Sequence, residues 1–139
     1  SNEITIDDFN KLDLRVAKIL KAVGKYEEVE VLYQRMLDIK EKAIGPDHPD
    51  VAKVLNDLAE VYSSEGKHLE AEPLYQRAVS IWEKIPKPDK PTRMFSGPYF
   101  LYTNYAECLK KLGKLQEAKD MRARAENLLR SSRSKPDKS

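Results

Sequence analysis

The chain has 139 residues, 35% of them charged and 8% aromatic, with a net charge of +2, five glycines, eight prolines and one cysteine. That length fits one domain with a real core. No apolar run approaches the roughly 20 residues of a bilayer span, and no basic-then-apolar leader marks a secreted protein. A lone Cys108 and two histidines, His48 and His68, supply neither a disulfide framework nor a metal site, so no cofactor is expected.

In chain order, residues 1–7 read as an extension or cloning remnant, which would fit a fragment. An apolar helix follows, carrying Phe9, Leu12, Leu14, Val16, Ile19, Leu20 and Val23. Gly24-Lys25 ends it, and a shift of 42 residues then brings Gly24-Lys25 onto Gly66-Lys67. The same shift brings Leu32-Tyr33-Gln34-Arg35 onto Leu74-Tyr75-Gln76-Arg77, and 11 of the 19 positions from 24 to 42 are identical. A third copy starts at Gly113-Lys114, 47 residues beyond the second, with Glu117-Ala118 and Arg124-Ala125 in register. Three copies of one unit fill about 8–44, 49–85 and 98–130.

Each copy reads as two helices around a short turn. In unit two, Val51, Val54, Leu55, Leu58, Ala59, Val61 and Tyr62 recur at helical spacing. Gly66 suits the left-handed position after a helix end. Leu69, Ala71, Leu74, Tyr75, Ala78, Val79, Ile81 and Trp82 repeat the period until Pro86. Pro73 is expected near the first turn of that helix, with at most a mild kink. Ala17, Ala59 and Ala106 share one seat; Val29, Ala71 and Ala118 share a second; Met36, Ala78 and Ala125 share a third. Small residues at fixed seats let neighbouring helices approach, so the fold class expected is all-α, three stacked pairs with one continuous core.

The 42-residue spacing, with Ala43-Ile44-Gly45-Pro46-Asp47-His48-Pro49, Asn56-Asp57-Leu58-Ala59-Glu60-Val61-Tyr62 and Glu70-Ala71-Glu72-Pro73-Leu74-Tyr75-Gln76-Arg77-Ala78, resembles the kinesin-light-chain-like subtype of the tetratricopeptide repeat. The resemblance implies a right-handed α-solenoid that acts as a non-catalytic, cytoplasmic protein-binding scaffold. It also implies that the first helix of each unit lines a concave groove. By register that groove takes Lys11, Leu14, Lys18 and Lys21 from unit one, Lys53, Asn56, Glu60 and Ser63 from unit two, and Phe100, Thr103, Glu107 and Lys110 from unit three. Five lysines against two glutamates suggest an electropositive trough for an acidic peptide, with Asn56 gripping backbone through its amide. Leu14 stands where the chaperone-tail carboxylate clamp wants asparagine. A second, local resemblance joins residues 4–16 to the start of the tRNA-binding barrel appended to some methionyl-tRNA synthetases; the repeat register claims the same residues for a helix.

Departures fall at the two ends and in one insertion. Arg122 stands where Tyr33 and Tyr75 stand earlier, and the last helix keeps a narrow apolar stripe of Leu115, Ala118, Met121, Ala125, Leu128 and Leu129, which reads as a cap. The broad apolar surface of the first helix reads as a site for preceding repeats or for self-association, an assembly role in place of peptide binding. Residues 86–98 form a proline-rich insertion, where Met94, Phe95, Tyr99 and Phe100 either rim the groove or tuck onto the core. Residues 110–139 hold ten Lys/Arg against four Asp/Glu, so nucleic-acid binding by this basic end is the weakest alternative, as no aromatic is interleaved there. Residues 131–139 read as a disordered tail. For chemistry, Glu27-Glu28 and Asp7-Asp8 read as solvated faces, His48 as a cap or packing residue, His68 as a stand-in for Tyr26, and Cys108 as a small buried hydrophobe. No catalytic or metal-binding residue is expected.

Overall fold

Three identical chain reversals set the architecture. The computed structural model describes residues 6–86 and 97–133. Gly24, Gly66 and Gly113 all sit at φ near +80°, which only glycine adopts without strain. The next residue closes each turn: Lys25 N–H donates to Leu20 O at 2.9 Å, Lys67 N–H to Tyr62 O at 2.8 Å and Lys114 N–H to Leu109 O at 2.8 Å. These six-to-one bonds satisfy carbonyls that a helix end leaves open. They separate α1 (Ile6–Ala22) from α2 (Tyr26–Ile44), α3 (Pro49–Ser64) from α4 (His68–Glu83), and α5 (Pro98–Lys111) from α6 (Leu115–Arg133).

Each helix packs on its successor along the chain, and α3 also meets α5. The shared small seats explain that closeness. Ala17, Ala59, Ala71, Ala78 and Ala106 are completely buried, as is Val29. Central position gives α3 two buried faces. Val54, Leu58 and Val61 pack into unit one with Ala17, Val29, Tyr33 and Met36. Val51, Leu55 and Ala59 instead join Ala71, Tyr75, Leu101, Tyr105 and Leu109 of units two and three. Tyr75 and Tyr105 stack at 5.5 Å between centroids, 19° from parallel, an arrangement worth about 1 kcal/mol beyond burial.

The α1 helix runs unbroken through residues 6–22, the helix that the repeat register claims for that stretch. Other expectations change on contact with the fold. Pro73 lies inside α4, past its first turn, and the helix continues through it. Leu115, expected on the apolar stripe, is exposed, while Ala118 and Ala125 are buried. The α6 helix reaches Arg133, three residues into the stretch read as tail. Residues 87–96, most of the insertion including Met94 and Phe95, lie outside the described residues, as do 1–5 and 134–139.

Candidate functional site

A cleft of about 670 Å³ opens along α3 and α5, with Trp82 of α4 and Gly97 also in its lining. Helix starts build its upper wall. Pro49 occupies the first turn of α3, where its missing N–H costs nothing, and His48 caps that helix by accepting the Asp50 N–H on Nδ1 at 3.0 Å. Ala52, Leu101, Phe100 and Trp82 supply apolar wall, and Lys53, Asn56, Asp57, Glu60 and Asn104 supply polar groups. Asn104 Nδ2 donates to Asn56 Oδ1 at 3.3 Å, linking units two and three within the cleft.

Of the groove residues expected by register, Lys53, Asn56, Glu60 and Phe100 line this cleft. Lys21 joins from unit one, its ammonium 3.3 Å from Glu60 Oε1. Lys11, Lys18 and Lys110 are exposed, with no ion-pair partner among the described residues. The others turn elsewhere. Leu14 is half-buried and packs on the unit-one core. The hydroxyl oxygen of Ser63 is buried, beside Tyr75 and Cys108. Thr103 donates its hydroxyl back to Phe100 O at 3.0 Å. Glu107 is held by Arg122 at 3.3 Å.

Asp50, Asp57 and Asn104 line the cleft but escaped the register reading. Asp57 and Asn104 share one seat, 47 residues apart, next to the seat of Asn56 and Thr103. A search for polar residues repeated at that neighbouring seat would have found them. Burial pushes the Asp57 carboxyl up to about 6; Glu60 adds to the rise, while Lys53, Lys21 and Lys18 oppose it. Burial likewise pushes the Tyr33 hydroxyl up to about 12, with Asp57 and Glu60 adding to it. Three carboxylates, Asp50, Asp57 and Glu60, therefore share the cleft with Lys53 and a pair of amides, beside an apolar wall, and Lys21 and Lys18 act on Asp57 from unit one.

The histidine of the trough and the buried cysteine of α5 are both committed to structure. His48 already uses Nδ1 as a helix cap. Cys108 is buried, its thiol pushed up by desolvation and set 3.5 Å from His68 O, the opposite of an activated nucleophile. Among the described residues no group of three His, Cys, Asp or Glu is placed to hold a metal ion, and no helix is long and apolar enough to cross a membrane.

Stacked helix pairs with a lined cleft define a helical-repeat module. The chain belongs to the tetratricopeptide repeat family, whose repeat model matches residues 8–92. Such repeats are generally protein-interaction modules and typically non-catalytic. Among solved structures, BtubC (BKLC) from P. vanneervenii matches with a TM-score of 0.79 at 22% identity, over 96% of this chain. That likeness is one of fold, and it fits the kinesin-light-chain-like form of the repeat. The chain spans about half, 52%, of the length of that structure. No curated protein sequence matches it.

Proposed function

We propose that the chain is a non-catalytic cytosolic scaffold that grips a short acidic segment of a partner protein in the cleft along α3 and α5, with α1 extending the trough. One observation carries this reading: both glutamates of the expected groove are already engaged, Glu60 by Lys21 and Glu107 by Arg122. Lys11, Lys18, Lys53 and Lys110 make no ion pair among the described residues, although Lys53 and Lys18 lie close enough to act on the Asp57 carboxyl. The Asn56 and Asn104 amides can serve a peptide backbone, and Phe100 and Leu101 an apolar side chain. The basic end offers less to nucleic acid, because Arg122 and Arg124 are spent on Glu107 and Glu83.

Trp82 is the single tryptophan and lines the cleft, so the protein carries its own reporter. Titration with acidic peptides that carry one aromatic residue should shift Trp82 emission. The shift should weaken with salt and fail in a Lys18→Glu/Lys53→Glu variant of unchanged helicity. Equal response to basic peptides of the same apolar content would sink the reading, and a response to single-stranded oligonucleotide alone would move it to nucleic acid.

A second reading, assembly through α1, is favoured by the exposure of Leu12 and Ile19 on that helix and of Val23 just past its end. Large apolar side chains grouped on one terminal face mark an interaction surface.

A further inference from the structure

We propose that the α1 end of the stack receives a further helix pair of this same repeat, one whose second helix carries a glutamate at the seat held here by Glu30 and Glu72. This rests on the assembly reading of α1 and names its occupant. The repeat itself shows what covers the corresponding face of the later units. Val54, Leu58 and Val61 are the residues by which α3 packs on unit one. Their counterparts 47 residues on, Leu101, Tyr105 and Cys108, pack α5 on unit two. All six are 5% exposed or less. Their counterparts 42 residues back, Leu12, Val16 and Ile19, are 58%, 37% and 65% exposed. The same three seats are apolar in every unit and are covered wherever a unit precedes.

Charge repeats the pattern. Lys67 reaches Glu30 of the preceding unit at 3.3 Å, and Lys114, its counterpart, reaches Glu72 at 2.8 Å. Lys25 holds that seat in unit one, exposed and without an ion-pair partner among the described residues. A second ladder joins Arg77 to Glu41 and Arg124 to Glu83. Its unit-one member, Arg35, is met from within by Asp13 at 3.2 Å, so the open electrostatic seat is the lysine alone.

The tail of a second copy does not fit this end. In unit three Lys119 stands at the Glu30 and Glu72 seat, Arg130 at the Glu41 and Glu83 seat, and Arg122 at the tyrosine seat. Cations would meet Lys25 and Arg35, and the tyrosine that fills unit boundaries would be missing. The occupant must instead present what α2 and α4 present: an apolar face with that glutamate.

The test extends the full chain by one unit. A copy of residues 7–48 is placed directly ahead of Asp7, which keeps the 42-residue period and sets a second Glu30 opposite Lys25. The extended chain should unfold in one transition with Tm raised by about 5 °C or more. Ile19→Glu should shift Tm by less than about 2 °C in the original chain, where Ile19 is exposed, and lower it by about 5 °C or more in the extended chain. Lys25→Glu should also lower Tm in the extended chain, with partial recovery on Glu30→Lys in the added copy. Two transitions, with the original Tm unchanged and Ile19→Glu silent in both chains, would overturn the proposal. Sedimentation of the original chain separates the two levels: a dimer abolished by Ile19→Glu, with no docking of the added unit, keeps the assembly reading and rejects this occupant. A monomer with no docking rejects both.

Discussion

Asn104 Nδ2 donates to Asn56 Oδ1 at 3.3 Å, so the side-chain amides of two neighbouring units meet within the cleft. Each amide keeps unused capacity: Asn56 retains its N–H donors, and Asn104 its carbonyl oxygen. A pair of this kind is suited to an extended backbone, which offers donors and acceptors alternately.

Asn56→Ala should therefore weaken peptide binding far more than folding. The bond between the amides is partly solvent-exposed and contributes about 1 kcal/mol or less to stability. Binding should fall about tenfold if a single good hydrogen bond to ligand backbone is lost. Urea unfolding beside a Trp82 fluorescence titration separates the two effects, and a loss of stability without loss of binding would contradict the role.

Asp57 makes stability depend on pH with a definite sign. Its ordinary value is 3.8 and burial raises it to about 6 in the folded chain, so the native state holds the proton more tightly than the unfolded state. Its contribution is full below about pH 4 and is lost as pH rises through about 6. Asp57→Asn should thus be nearly neutral at pH 4 and stabilising at pH 7 by about 1–2 kcal/mol. Urea midpoints of the two proteins from pH 4 to 7 check the sign; a gap that narrows with rising pH would show it wrong.

The alanine seats test the stacking. Ala59 is completely buried between the second and third units' helices, and nothing longer fits without moving them. Ala59→Leu should destabilise by about 1–3 kcal/mol, whereas Ala123→Leu on exposed α6 should fall within about 0.5 kcal/mol of the parent. Thermal unfolding of both variants decides.

Gly66 sits at φ +80° with open space where a Cβ would go. The cost of Gly66→Ala is then backbone strain alone, about 1–2 kcal/mol. Gly66→Asn should cost visibly less, because asparagine tolerates the left-handed region. Equal losses in the two variants, read by urea unfolding, would point to a steric cause instead.

Much of the fold was legible in particular residues. The Gly-Lys pairs at 24, 66 and 113 located every reversal within a pair, since a left-handed turn after a helix is a local demand that a few residues meet. Ala17, Ala59 and Ala106 located the helix contacts, because close approach requires a small side chain wherever it occurs. His48 was legible from its place in the inter-repeat turn as a packing or capping residue, and the structure makes it the cap. The candidate cleft was legible only in part: the register reading named Lys53, Asn56, Glu60 and Phe100 of its lining, but not Asp50, Asp57, Leu101, Asn104 or Trp82 among others.

What the sequence determined by itself is the helix pair and its repetition, because helical periodicity, turn chemistry and small packing seats are written within a span of one unit. Tertiary structure decided what depends on how one unit is rotated on the next. That rotation turns the Ser63 hydroxyl into the core and brings Asp57 and Asn104 into the cleft. It brings Lys67 to Glu30 and Lys114 to Glu72, pairs about 40 residues apart in the chain. A side chain one seat along a helix points about 100° away, so a modest rotation between units decides whether it meets the cleft, the core or a neighbour's charge.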